Sequence, residues 1–173
     1  MEVMVDLETL GSGSNAVIIS IGAVEFDPAS GVIGREFCEN IDPQSCIDLG
    51  LKMDAATVMW WMKQSTEARS AFQNPARHLS AVLMDFATWF PDGAPLWGNG
   101  ATFDNVILTN AYKSAGINQP WAYWGDRCYR TLKNLRPDIK MARSGTHHNA
   151  LDDAKSQAEH AIKILQAIKG NGA

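Results

Sequence analysis

The chain has 173 residues, of which 46% are apolar and 20% charged. That is the makeup of one folded domain with a sizeable core, and it excludes an extended disordered chain. The formal net charge of −4 argues against a simple duplex-binding module, which carries a net basic footprint. It leaves room for a protein whose clustered acids are neutralised by bound divalent cations.

The first segment, Glu2 to Leu7, alternates and is partly β-branched, so a strand is expected. Gly11 to Asn15 is a turn or loop by its Gly and Ser content. Ala16 to Phe26, rich in Val and Ile, reads as a longer second strand. Gly31 to Ile41 reads as a third that closes a meander, and Asp42-Pro43 marks a break. Asp54 is a candidate N-cap for a helix running to Met62, and Ser65 to Phe72 a second short helix. Ala76 to Phe90 carries Leu79, Val82, Leu83, Phe86 and Phe90 close to helical period. Pro95 to Asn99 is a short apolar run bounded by Gly, hence a buried strand. Asp104 to Ala115 follows as a helix with Val106, Ile107, Ala111 and Tyr112 inward. Trp124 to Asp126 is expected as a short strand, and Cys128 to Leu135 as a helix. Ala150 to Ile168 gives the clearest helix, with Leu151, Ala154, Ala158, Ala161, Ile162, Leu165 and Ile168 in one apolar stripe.

Three strands followed by alternating helices and strands imply an α/β domain with a mixed sheet of about five strands, spanning residues 1–173. Residues 170–173 are expected to be a frayed tail. No run reaches the roughly 18 apolar residues of a membrane helix. Met1 to Leu10 holds acids and no basic cluster, unlike a signal peptide. Cys38, Cys46 and Cys128 are odd in number and widely spaced. That suits a reducing cytoplasm, and no CxxC pair suggests zinc.

Three places carry chemistry. Asp6 and Glu8, two apart on a strand, leave the same face and repel each other. A divalent cation is the natural compensation, and a solvated face is the alternative. Val3, Val5 and Leu7 supply the opposite face. Asp104 sits where a buried strand passes through Asn99-Gly-Ala-Thr-Phe103 into a helix, so the helix dipole alone would also favour an acid there. Phe103 suits either a core anchor or a wall of a nucleotide pocket. Asn149 is a candidate N-cap that puts Asp152 and Asp153 in the first turn of the last helix. Four residues separate His148 from Asp153, and four separate His147 from Asp152. Spacing alone leaves both pairs open.

In this order, Asp6-Leu-Glu8 with Thr9, Asn99-Gly-Ala-Thr-Phe-Asp104 and His148-Asn-Ala-Leu-Asp-Asp153 resemble the DEDDh 3'–5' exonuclease superfamily. Its members share an RNase H-like fold and include polymerase proofreading subunits, RNase T and oligoribonuclease. The resemblance covers nearly the whole chain and selects His148 and Asp153 over their neighbours. Thr57-Val-Met-Trp60-Trp61-Met-Lys-Gln64 resembles the phage and prophage exonuclease VIII-like branch and small bacterial exoribonucleases.

The resemblance implies two Mg²⁺ or Mn²⁺ ions held by Asp6, Glu8, Asp104 and Asp153, with His148 as the general base. An imidazole pKa near ~6.5 suits that role at neutral pH. It further implies a single-stranded 3' end as substrate and nucleoside 5'-monophosphates as products. Thr9 and Leu10 would contact the terminal nucleotide, and Asn99 would orient the phosphate or stabilise its loop. Trp61 is the favoured stacking platform; at least one of Trp60 and Trp61 is expected in the core, and which of them faces the substrate is left open. Many relatives are dimers, so a homodimer is a further expectation. Two other readings remain: a catalytically silent nucleic-acid-binding domain on the same fold, and a structure-selective endonuclease. DNA and RNA are not distinguished.

Overall fold

The computed structural model describes residues 1–72, 76–100, 102–143, 145–146 and 148–170. Of the expected tail, 171–173 lie outside these residues, as does His147. Five strands form one sheet: β1 (Glu2–Thr9), β2 (Ile18–Phe26), β3 (Ile33–Asn40), β4 (Leu96–Gly98) and β5 (Asp126–Cys128). Their order is β3-β2-β1-β4-β5. The first three strands pair antiparallel, and β4 and β5 join parallel. β1 is therefore central, as a strand bearing paired acids on one face and Val3, Val5 and Leu7 on the other requires.

The six helices described are α1 (Pro43–Asp48), α2 (Ala55–Trp61), α3 (Leu79–Trp89), α4 (Asp104–Ala115), α5 (Tyr129–Leu135) and α6 (Ala150–Gly170). The sheet carries a core on each face. Val3, Val5 and Leu7 pack with Leu79, Leu83 and Phe86 of α3 and Ile107 and Leu108 of α4. Met4, Val24 and Phe26 pack with Tyr129 and Leu132 of α5 and Ala154, Ala158 and Ala161 of α6. Small residues along α6 let it lie close to the sheet. At Gly22, whose strand partner is Asp6, an added Cβ would lie 2.1 Å from the backbone carbon of Ala150. The start of α6 thus rests directly on β2, level with the first acid.

Several boundaries differ from expectation for identifiable reasons. Asp42-Pro43 opens α1 rather than breaking the chain. The Asp42 carboxylate accepts from the Gln44 N–H at 3.0 Å, and proline occupies the first turn, where its missing donor is harmless. Asp54 holds the N-cap position of α2 without a side-chain cap bond. Its carboxylate accepts instead from the Ser12 N–H (2.8 Å) and hydroxyl (3.1 Å). The expected helix at Ser65 to Phe72 is a 3-10 turn over Ala68–Phe72, preceded by a local bond from the Ala68 N–H to the Ser65 hydroxyl. Helix α3 begins at Leu79, not Ala76, because Arg77 is held extended by backbone bonds to Asn40 and Asp42. The expected strand at Trp124 to Asp126 is displaced. Tyr123–Gly125 form a 3-10 turn, and the ladder starts at Asp126 opposite Leu96. On α4, Leu108 is buried and Val106 only half-buried. Ile168 is exposed near the end of α6, past the point where the stripe meets the sheet. No described helix is long and apolar enough to cross a membrane.

Candidate active site

Asp6 and Glu8 leave β1 toward α6, and Asp104 and Asp153 enter from the starts of α4 and α6. Asp104 is 1% exposed and Glu8 7%, so these carboxylates converge in a desolvated space. Asp104 is fixed by two backbone donors, the N–H of Leu7 on β1 (3.1 Å) and that of Asn99 at the end of β4 (2.7 Å). Gly98 makes this approach possible: a Cβ there would stand 2.2 Å from Asn105 Oδ1 and 2.9 Å from Asp104 Cβ. Asp6 accepts from the Gln157 side-chain amide at 2.7 Å. Asp153 accepts from the His148 N–H at 3.0 Å and from the Arg143 guanidinium at 2.6 Å.

The start of α6 places Asp152 and Asp153 differently. Asn149 caps the helix through its Oδ1 to the Asp152 N–H at 3.1 Å. Asp152 turns back onto its own loop and accepts from the Thr146 N–H at 2.8 Å. Asp153 reaches the acids of β1. His148 sits at φ 63, a left-handed conformation uncommon for a residue with a side chain. Ligand atoms of Glu8, His148 and Asp153 lie within 4.8 Å of one another. His148 is thus close enough to take a proton from a water held between the two carboxylates.

The electrostatics follow from crowding four acids out of water. Burial, then the charges of Asp104, Glu8 and Asp153, raise the pKa of Asp6 well above the usual carboxylate range. Burial with Asp153 and Asp104 pushes Glu8 up to about 8. Burial pushes Asp104 up to about 6 against the lowering effect of its backbone donors and of Arg130. Arg143 and Arg130 stand at the rim, Arg130 donating to the Asn99 carbonyl at 2.7 Å. A set of buried carboxylate oxygens with raised pKa values fits hard divalent cations, which favour oxygen donors. The side-chain oxygens of Asn99 and Gln157 add two buried acceptors without a partner.

The expected substrate residues are less uniform. Thr9 is buried, its hydroxyl donating to the Gly11 carbonyl at 2.7 Å. Leu10 and Trp61 wall an apolar cavity of about 440 Å³ together with Met53, Val58, Met62 and Phe72. Phe103 is half-buried at the start of α4. The expectation of an open stacking face on Trp61 is corrected. Trp61 is 3% exposed and its Nε1 is tied to the Thr9 carbonyl at 2.8 Å. The accessible indole is Trp60, 41% exposed, edge-on to the His148 ring with centroids 4.9 Å apart. A helical period places the two rings about 100° apart but does not say which faces in; the bond to Thr9 decides it. Three further residues at the site are Gln157, Arg130 and Arg143. Gln157 had a sequence signal, being four residues after Asp153 on the same helix face. The arginines, reaching in from α5 and a loop, had none.

The sequence profile of the Rv2179c-like 3'-5' exoribonuclease domain matches residues 1–165. An exodeoxyribonuclease of Enterobacteria phage T4 is 26% identical over 159 residues, covering 74% of this chain and 68% of the relative. Among solved structures, the nuclease domain of 3'hExo, a DEDDh family member bound to rAMP, superposes with a TM-score of 0.64 at 15% identity, over 95% of this chain and 91% of that one. Exonuclease X in complex with 5' overhanging duplex DNA gives 0.60 at 19% identity, over 96% and 92%. Exonuclease I of E. coli with a dA16 oligonucleotide gives 0.64 at 13% identity, over 98% of this chain and 43% of that one. With the fold shared and the profile running almost end to end, the chain belongs to the Rv2179c-like 3'-5' exoribonuclease domain family and is a 3'–5' exonuclease.

Proposed function

We propose that the protein removes nucleotides one at a time from the 3' end of a single-stranded nucleic acid, using Asp6, Glu8, Asp104 and Asp153 to hold two divalent cations and His148 as general base. The observation that carries this reading is the convergence of four acids, with Asp6 and Glu8 raised in pKa by burial and by neighbouring carboxylates and Asp104 by burial, beside a histidine with a ring nitrogen within 4.8 Å of ligand oxygens of Glu8 and Asp153. Bound Mg²⁺ or Mn²⁺ would offset that repulsion and supply Lewis-acid activation of water and charge stabilisation at the departing 3' oxygen.

The chain's own residues account for the rest. His148 accepts the proton of the attacking water. Its strained backbone is held by the N–H bond to Asp153 and its ring by Trp60. Gln157 fixes the Asp6 carboxylate and leaves its second oxygen directed to other partners. Leu10 and the cavity it shares with Trp61 take the terminal base, and Asn99 and Phe103 border the phosphate and sugar. The products are nucleoside 5'-monophosphates.

A 5'-labelled single strand incubated with Mn²⁺ is expected to give a ladder that shortens from the 3' end. Internal cuts would instead indicate an endonuclease, and an intact strand a silent binding domain. Asp153→Asn is expected to abolish the ladder; full activity in that variant would sink the site assignment. The matched profile is described for an exoribonuclease and the phage relative as an exodeoxyribonuclease, so matched RNA and DNA strands are run side by side.

A further inference from the structure

The acidic balance of the chain is not evenly spread. The segment from Arg127 to Arg143 holds six of its 15 Lys and Arg and only one of its 19 acids. That acid, Asp138, is consumed locally by Arg136, which clamps it with bonds of 2.9 and 2.7 Å. Of the remaining cations, Arg130 and Arg143 stand at the active-site rim and Lys133 lies near both. Arg130 bonds the Asn99 carbonyl and Arg143 bonds Asp153. Lys133 lies one turn beyond Arg130 on α5, with its ammonium 5.4 Å from the centre of the Tyr129 ring. Burial, and after it the nearby charges of Arg130 and Arg143, lower its pKa. Among the described residues no acid forms an ion pair with Lys133 or Lys140.

These two lysines line a groove. Lys133 and Lys140 flank a cavity of about 270 Å³ whose wall includes Tyr129, Pro137 and Ile139. Its base is pinned by the buried His160, whose two ring nitrogens lie 2.7 Å from the Tyr129 hydroxyl and 2.8 Å from the Ile139 carbonyl. Cations that outnumber the acids around them on an otherwise acidic protein repel one another, and a polyanion lying along them relieves that repulsion.

We infer that the groove between α5 and the loop leading to Arg143 is the track for the phosphodiester backbone upstream of the scissile bond, with Lys133 and Lys140 each contacting a phosphate. The inference rests on the exonuclease site proposed above and adds a contact that only substrates longer than a dinucleotide reach. Such contacts set affinity and salt dependence without reading sequence.

The test compares the full chain with Lys133→Gln/Lys140→Gln on a dinucleotide and on a 5'-labelled 12-mer of the same base, with Mn²⁺ and a series of KCl concentrations. For the 12-mer, KM is expected to rise about ten-fold with kcat unchanged. The slope of log kcat/KM against log salt should fall by about 1.4, which is about 0.7 for each lost single-strand phosphate contact. Dinucleotide turnover is expected to stay the same, as is 12-mer KM in a Lys113→Gln/Lys169→Gln control. An equal loss on both substrates, or no loss on either, overturns the track. Should the double variant melt early, Lys140→Gln alone, at an exposed position, is expected to give half the slope change. If the unmodified chain degrades neither substrate, the exonuclease site fails instead. Fluorescence anisotropy of the labelled 12-mer then decides the track, which falls if the lysine variants bind as tightly as the parent.

Discussion

At the scale of single residues, the site is a conflict that folding imposes and a ligand relieves. Glu8 ordinarily titrates near 4.5 and is pushed up to about 8, and Asp104 is raised from 3.8 to about 6. In the metal-free protein, well below pH 3.8 both groups are protonated whether folded or unfolded, and no penalty arises. As pH rises the unfolded chain releases these protons first while the folded chain keeps them, so stability falls progressively until about pH 8. Metal-free protein is therefore expected to melt at a lower temperature at pH 8.5 than at pH 5, and added Mn²⁺ to raise the midpoint more at pH 8.5. A flat profile by scanning calorimetry would contradict the crowding. Glu8→Gln is expected to lower activity by more than about 100-fold yet raise the metal-free midpoint at pH 8.5 by on the order of 5 °C.

The two tryptophans separate packing from function at the same scale. Trp61→Ala removes a buried ring and its bond to Thr9 and should cost about 3–5 kcal/mol in urea unfolding. Trp60→Ala, at an exposed ring, should change stability by less than about 1 kcal/mol. It should lower kcat with little effect on KM, because the His148 ring loses its edge contact, and Trp60→Phe should restore most of the rate. A Trp60→Ala protein with parental kcat would remove the indole from any role in holding His148.

At the scale of elements, the decisive contact is that of α6 with β2. Gly22 has no side chain, and the backbone of Ala150 and Leu151 occupies the space a Cβ would need, at 2.1 and 2.2 Å. Neither backbone can yield without moving the helix that carries Asp153 and follows His148. Gly22→Ala is expected to destabilise the protein by about 3 kcal/mol or more, in the range of overpacked cores. Activity should fall even at temperatures where the protein remains folded. Helix α4 makes the matching approach at Gly98, where Asp104 and Asn105 fill the position of a Cβ. Two glycines thus set the distance between acids on different elements.

At the scale of the whole molecule, the sheet divides stability from chemistry. Asp6 and Glu8 face α6, while Val3, Val5 and Leu7 face the core built with α3 and α4. Phe86→Ala, in the latter core, is expected to cost about 3–5 kcal/mol of stability. The kcat measured well below the melting temperature should stay within about two-fold. A large fall in kcat would mean that the α3 core, rather than the α6 contact, sets the position of the acids.

The sequence by itself determined the local features: which stretches become strand or helix, that Asp6 and Glu8 share a face, and that Asn149 caps the last helix. These depend on period, propensity and short-range bonds, which neighbouring residues carry. It also carried the ordered motifs that mark an exonuclease. Tertiary structure showed where the members of two adjacent pairs point. Asp152 turns to its loop and Asp153 to the acids, and Trp61 is tied to Thr9 while Trp60 stays exposed. It likewise brought Arg130 and Arg143 to the rim of the site. Adjacent helical residues share the same period and propensity, so for Trp60 and Trp61 it is the contact with Thr9, distant in sequence, that assigns one to the core and leaves the other exposed.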